Sequence, residues 1–226
     1  MVQTDYTPLF LSLKVAGIAT ILVFFLGVVL ARLMARKEFL GKSLLEACLL
    51  LPLVLPPTVV GFGLLLLFGK NGLIGKWLLE QFDVTIVFTW VGAVIASTIV
   101  SFPLMYQSAT AAFQTVDKKL EIAARTLGAS EWRIFWTVSF PLAWPGVLAG
   151  LVLAFARALG EFGATLMLAG YIPGKTDTIP IAIYFAVEGG DMQKASFWVV
   201  IIVALSFSTI MWLNWWTKSK LPGRHS

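Results

Sequence analysis

The sequence predicts an all-α, polytopic membrane protein, and three observations predict it. Hydrophobic residues make up 58% of the 226 positions, charged residues only 13%. Mean hydropathy is +0.87. The charges gather in short clusters between long apolar stretches. A soluble domain rarely has this composition.

A membrane-crossing helix needs about 20 mostly apolar residues. Five stretches meet that length: 9–33, 44–68, 84–107, 142–159 and 197–216. The N-terminal segment 1–8 carries Asp5 and has no Lys or Arg before Lys14. It lacks the basic start of a signal peptide, so the first apolar run is expected to persist as a helix. The stretch 44–68 contains Pro52, Pro56 and Pro57, each of which removes a backbone donor. Such a break suits either a kinked helix lining a gated pathway or a static kink that shapes packing. The region 160–196 is apolar but interrupted by Gly170, Pro173, Gly174, Asp177 and Pro180, and is not expected to form one span.

Orientation follows from the basic residues of the loops. Arg32, Arg36, Lys37 and Lys42 follow the first span. Lys118, Lys119, Arg125 and Arg133 lie in the central loop, and Lys218, Lys220 and Arg224 in the tail. The alternate loops hold only Lys70, Lys76, Lys175 and Lys194. The central loop 108–141 and the tail 217–226 are therefore expected in the cytoplasm. The segment 1–8 and the region 160–196 are expected on the outer face of the bacterial inner membrane. Trp90, Trp144, Trp198, Trp212, Trp215 and Trp216 fall near span ends, as in an interfacial belt, or else pack between helices. The net charge of +5 reads as basic cytoplasmic loops and gives no reason to invoke nucleic acid.

Several chemistries find no support. Cys48 is the only cysteine and His225 the only histidine, which leaves no metal cage and no acid–base pair. Neither a catalytic residue nor a cofactor in this chain is expected. The run AGYIPGKT, 169–176, fits a loose phosphate-loop pattern. It lacks the strand before and the helix after that such a loop requires, so nucleotide is not expected here. No internal repeat is evident, which counts against a secondary anion transporter, the alternative from another class.

Two features carry candidate function. Arg157 and Glu161, spaced i, i+4 at the end of the fourth span, would meet on one helix face. They read either as an ion pair that fixes the helix end or as a site where Arg157 attracts an anion. Thr58, Ser97, Thr98 and Ser101 are candidate polar contacts along a pathway, or ordinary helix hydrogen bonds. The central loop is the second feature. Asp117 can cap a helix in which Glu121 and Arg125 form an i, i+4 pair. Ala123 and Ala124 give a flat face, and Gly128 lets the chain turn. Ser130 can cap a second short helix carrying Trp132, Ile134, Phe135 and Trp136, and Pro141 and Pro145 set the entry to the next span. This is either a docking lever or an amphipathic segment on the membrane surface.

The loop resembles the signature of permease subunits of binding-protein-dependent ABC importers: E-x-A-A-x-x-x-G, nine residues, then I-x-L-P. Glu121, Ala123, Ala124, Gly128 and Pro141 match, while Val138 and Phe140 depart conservatively. The stretches LPLVLPPTVVGFGLLLLFGKNGLIG, VDKKLEIAARTLGAS, LAFARALGEFGAT and IPGKTDTIP resemble the molybdate branch, with sulfate or thiosulfate permeases the nearest rivals. The resemblance implies a type I ABC importer permease fold and a homodimer. It implies a separate pair of ATPase subunits that bind ATP and magnesium, and an extracytoplasmic molybdate-binding protein. Glu121, Ala123, Ala124, Gly128 and Pro141 would couple to the ATPase. The pathway is expected near Pro56, Pro57, Thr58, Ser97, Ser101, Arg157 and Glu161, passing molybdate and also tungstate.

Overall fold

The computed structural model describes residues 6–36 and 38–220. Asp5, Lys37, Arg224 and His225 lie outside the described residues, as do the side chains of Lys218 and Lys220. The helices, in order, are α1 (Thr7–Arg36), α2 (Lys42–Val54), α3 (Pro57–Phe68), α4 (Leu73–Phe82), α5 (Trp90–Thr115) and α6 (Lys118–Thr126). There follow α7 (Glu131–Ile134), a π turn (Phe135–Ser139), α8 (Phe140–Leu159), α9 (Gly163–Ala169), α10 (Ile179–Glu188) and α11 (Met192–Lys220). Among the described residues, four helical stretches are long and apolar enough to cross a membrane, and the bent pair α2–α3 is a fifth if counted as one span.

α5 lies between α1 and α8, and small residues let the three backbones approach. A Cβ on Gly27 would meet Met105 Cγ at 2.7 Å; one on Gly150 would meet Ser108 Cβ at 2.6 Å. Ala31, Ala109 and Ala143 are buried in the same seam. In a membrane, where lipid is as apolar as the side chains, such close packing is a main source of helix association.

The stretch 44–68 is not one kinked helix. Pro52 is carried inside α2, while the chain turns by 114° between α2 and α3. The cause is the Pro56–Pro57 pair. A residue before proline is pushed out of the helical region, and both Leu55 (ψ 142°) and Pro56 (ψ 136°) are extended. Pro57 then starts α3 at a position where its missing N–H costs nothing.

Other boundaries also move. Residues 84–89 are not helical. Thr89 caps α5 by accepting the Gly92 N–H at 3.3 Å, and the helix then runs on to Thr115. The fourth crossing starts at Glu131 instead of 142: a π turn over Phe135–Ser139 precedes Pro141, and the helix runs on through the proline. Proline has no N–H for an i→i−4 ladder, and the wider turn keeps the helix continuous. α4 is an amphipathic helix that the hydropathy pattern did not announce, with Lys76 and Glu80 at 3.7 Å on its polar side. The region 160–196 forms two short helices, α9 and α10. Trp198 is no belt residue: it is 1% exposed and packs from α11 against α10.

α3 and α9 meet at Gly61, where a Cβ would lie 2.7 Å from the Ala164 Cα. Backbone cannot step aside as a side-chain tip can. Gly61→Val is expected to lower stability by about 1–3 kcal/mol, whereas Gly63→Ala, with nothing within 4 Å, should be neutral or stabilising. Thermal unfolding of both variants in detergent checks this; equal melting temperatures would contradict the packing described.

Candidate functional site

The first candidate is α6 and its turn. Asp117 Oδ1 accepts the Lys119 N–H at 2.8 Å and caps the nine-residue helix. Gly128 takes φ +80°, a left-handed value that L side chains rarely adopt, and reverses the chain. Ser130 Oγ accepts the Arg133 N–H at 3.4 Å and starts α7. α6 and α7 are thus joined by a turn whose residues match the backbone each position needs.

Glu121 does not pair with Arg125. It points into the bundle, 5% exposed. Its Oε1 lies 3.0 Å from Arg32 Nη1 and its Oε2 lies 3.2 Å from Arg36 Nη1. The Ser139 hydroxyl donates to Oε1 at 2.5 Å. Arg36 also donates to the Val116 carbonyl at 3.1 Å, just past the end of α5. Arg125 turns the other way and meets Glu131 at 2.6 Å, bridging α6 to α7 across the glycine turn. The physical choice is clear. An exposed i, i+4 pair gains little in high dielectric, whereas a buried carboxylate held by two guanidiniums and a hydroxyl makes charge-assisted hydrogen bonds. Burial pushes the Glu121 carboxyl up. The Ser139 hydroxyl, then Arg32, then Arg36 outweigh it and hold the group below its ordinary value of 4.5.

With Glu121 as its inner anchor, α6 turns several apolar side chains outward. Ile122, Leu120 and Leu127 are exposed, Leu127 at 87%. Ala123 is exposed and Ala124 half-buried. A Cβ at Gly128 would meet nothing within 4 Å. Pro141 stands apart, exposed in the first turn of α8 beyond the π turn.

The second candidate lies where two breaks meet. A Cβ on Gly163, at the start of α9, would approach Pro57 Cβ at 3.1 Å and Thr58 Cγ2 at 3.5 Å. The α2–α3 break therefore touches the α8–α9 break. Arg157 Nη1 lies 2.7 Å from Glu161 Oε2, and Glu161 Oε1 accepts the Ala164 N–H at 2.8 Å. The Glu161 side chain is 1% exposed, that of Arg157 29%. Pro56 and Thr58 are exposed and Pro57 half-buried. Ser97 and Ser101 are both buried in α5, and the Ser101 hydroxyl donates to the Ser97 carbonyl at 2.6 Å. Thr98 likewise donates to Val94 O at 2.7 Å.

Sequence reasoning missed three partners of Glu121: Arg32, Arg36 and Ser139. The signal was present in part, since Arg32 and Arg36 are i, i+4 and share a face of α1. Lys14, placed 3.6 Å from the Trp90 ring centroid, was also passed over.

Removing Glu121 leaves two guanidiniums facing each other. Glu121→Ala is expected to cost about 3 kcal/mol and to raise amide exchange throughout 117–139. The pH sign follows from a lowered folded pKa. The anchor's stabilisation is fully present above 4.5 and is lost as pH falls through the lower folded value. The protection of α6 amides relative to their intrinsic exchange rate should stay constant from neutral pH down to that point and fall below it. A loss of protection already near neutral pH would contradict this anchor.

Comparison with known proteins places these features. Residues 17–215 match the family model of the binding-protein-dependent transport system inner membrane component. A putative molybdenum transport system permease protein of Bacillus subtilis is 50% identical over 92% of both chains. The molybdenum transport system permease protein ModB of Escherichia coli is 46% identical over 95% of both. The E. coli sulfate transport system permease protein CysT is 34% identical over 90% of this chain and 73% of its own. Among solved structures, a bacterial ABC transporter that imports alginate matches with TM-score 0.77 at 14% identity, covering 97% of this chain and 80% of that one. The methionine transporter MetNI, in an inward-facing form, gives 0.69 at 14% identity over 94% of both. These last two show the fold alone, that of a type I ABC importer permease. The chain belongs to the family of binding-protein-dependent transport system inner membrane components.

Proposed function

We propose that the chain is the permease of an ATP-driven importer for molybdate, and for tungstate by the same path. Identity supports the substrate: the molybdenum permeases stand at 46–50%, the sulfate permease at 34%. The observation that carries the coupling role is α6 itself. It is a polar helix held from inside by a buried carboxylate while it displays Ile122, Ala123 and Leu127 outward. A helix built this way serves as a rigid handle for another protein.

In this reading the basic end of the bundle, with α6, faces the cytoplasm. Two copies of the chain enclose the path. Two ATPase subunits, which hold the nucleotide and magnesium, grip α6, Gly128 and the adjoining turn. A molybdate-binding protein delivers the anion at the opposite end. Motion of α6 passes through Glu121 to α1 by Arg32 and Arg36, and to the start of α8 by Ser139. Nucleotide binding shifts the population between inward- and outward-open states. The anion's path runs by the paired breaks at Pro56–Thr58 and Arg157–Glu161, where Arg157 supplies positive charge and Glu161 holds it in place.

ATP hydrolysis by the reconstituted complex tests this. Binding protein loaded with molybdate or tungstate should stimulate it, and sulfate should not. Stimulation by sulfate would overturn the substrate and keep the architecture. Gly128→Trp should reach the membrane normally and abolish stimulated hydrolysis and uptake; normal uptake would remove the coupling role of the turn.

Arg157→Ala leaves the buried Glu161 carboxylate without its cation. Folded protein should fall, by about 3 kcal/mol of stability, and Arg157→Lys should restore part of it. Normal abundance of Arg157→Ala with lost uptake would instead mean that the arginine serves the anion alone.

A further inference from the structure

A cavity of about 540 Å³ opens between the last turns of α1 and the start of α7, beside the Glu121 anchor. One wall is apolar. Phe25, Val29 and Leu33, at four-residue spacing on α1, are 61%, 56% and 45% exposed, and Val29 and Leu33 enter the cavity. This stripe continues the apolar outer face of α1 without interruption. The other wall is charged. Arg32, Arg36 and Arg125 line it against Glu121 and Glu131, three cations against two carboxylates, an excess of one positive charge. Arg32 commits one Nη to Glu121, and Arg125 commits its Nε to Glu131. Both guanidiniums keep further N–H donors, since each carries five. Trp132 lines the same cavity, 71% exposed.

The geometry points to a binding site for one anionic phospholipid. Its phosphate lies between Arg32 and Arg125, beside Trp132, and an acyl chain runs along Leu33, Val29 and Phe25. Guanidiniums at the foot of an apolar stripe, with a tryptophan at the same level, suit the headgroup boundary of a bilayer. The unbalanced positive charge selects an anionic over a zwitterionic headgroup. The site rests on the proposed function in one respect only: the basic end faces the cytoplasm, so the lipid comes from that leaflet. Because Arg32 also holds Glu121, the bound lipid bears on the anchor of α6 and on coupling.

The test is lipid retention. The complex of this chain with its ATPase is purified from membranes, and the ratio of phosphatidylglycerol to phosphatidylethanolamine in the extract is measured by mass spectrometry. The wild type should retain phosphatidylglycerol well above the membrane ratio. Arg125→Gln should lower that enrichment about fivefold. Leu33→Trp, which fills the groove at a half-exposed position and leaves every charge in place, should lower it as well. Retention at the membrane ratio, or full enrichment in both variants, would overturn the site. Cross-linking of Leu33→Cys to the ATPase would show that protein covers the groove and would overturn it too. Enrichment without ATPase stimulation would leave the lipid site standing and remove only the coupling reading.

Discussion

One carboxylate organises the end of the bundle that carries α6. Glu121 ties α6 to α1 through Arg32 and Arg36, and to the junction before α8 through Ser139. Arg36 extends the tie to the close of α5 by donating to the Val116 carbonyl. Three elements therefore meet at its two oxygen atoms, and Arg36 ties in a fourth, α5. A buried charge is costly unless fully partnered, and here the partners come from α1 and from the π turn before α8. The arrangement is satisfied only when all of them are in place. Rigidity follows from that condition: α6 cannot shift alone without leaving a charge unpaired. Without the tie, α6 would be a nine-residue helix with two exposed flanks, marginal in isolation.

The break between α2 and α3 obeys a backbone constraint. The Pro56–Pro57 pair excludes helix at its own start, and the chain turns by 114°. Within a membrane a broken helix exposes donors and acceptors that lipid cannot satisfy, so it must be covered by protein or face a cavity. The structure covers this break with a second one. Gly163 comes against Pro57 and Thr58, and Glu161 accepts the Ala164 N–H that α9 would otherwise leave open. The absence of a side chain at Gly61 and Gly163 is what lets α3 and α9 lie so close. Two short helices meeting at their breaks can pivot with less rearrangement than two continuous ones.

Much of this was legible in the sequence. Apolar run length found the crossings, and Asp117, Gly128 and Ser130 marked the caps and turn of the polar loop. Local chemistry supplied those readings, and local chemistry decided the outcome. The misreadings have a common cause. Glu121 was given to Arg125, four residues away, but its partners lie 89 residues off in sequence, at Arg32, and across the loop at Ser139. Only the packing of α5 between α1 and α8 brings them together. The third span was expected to end at 107, yet the helix runs on to Thr115, with Gln107 and Gln114 exposed while its other face is buried. Pro141 suggested a helix start, and a π turn let the helix pass through. The Arg157–Glu161 pair was read correctly as a contact, since its spacing alone brings the two together.

The charge balance at the paired breaks bears on how an oxyanion could pass. A path that binds its ion tightly cannot release it, and one with no attraction cannot draw it in. An uncompensated arginine facing a doubly charged anion would err toward trapping. Arg157 is not uncompensated: Glu161 lies 2.7 Å away, is itself buried, and is fixed by the N-terminus of α9. On the proposed reading, the carboxylate reduces the attraction that the guanidinium offers and sets its orientation. It also makes that attraction depend on the position of α9, because the same carboxylate caps the helix. Any movement that opens the breaks would alter the Arg157–Glu161 distance, and with it the hold on the anion. Selectivity among oxyanions then falls mainly to the binding protein, while the permease contributes a contact strong enough to admit the ion and weak enough to let it go.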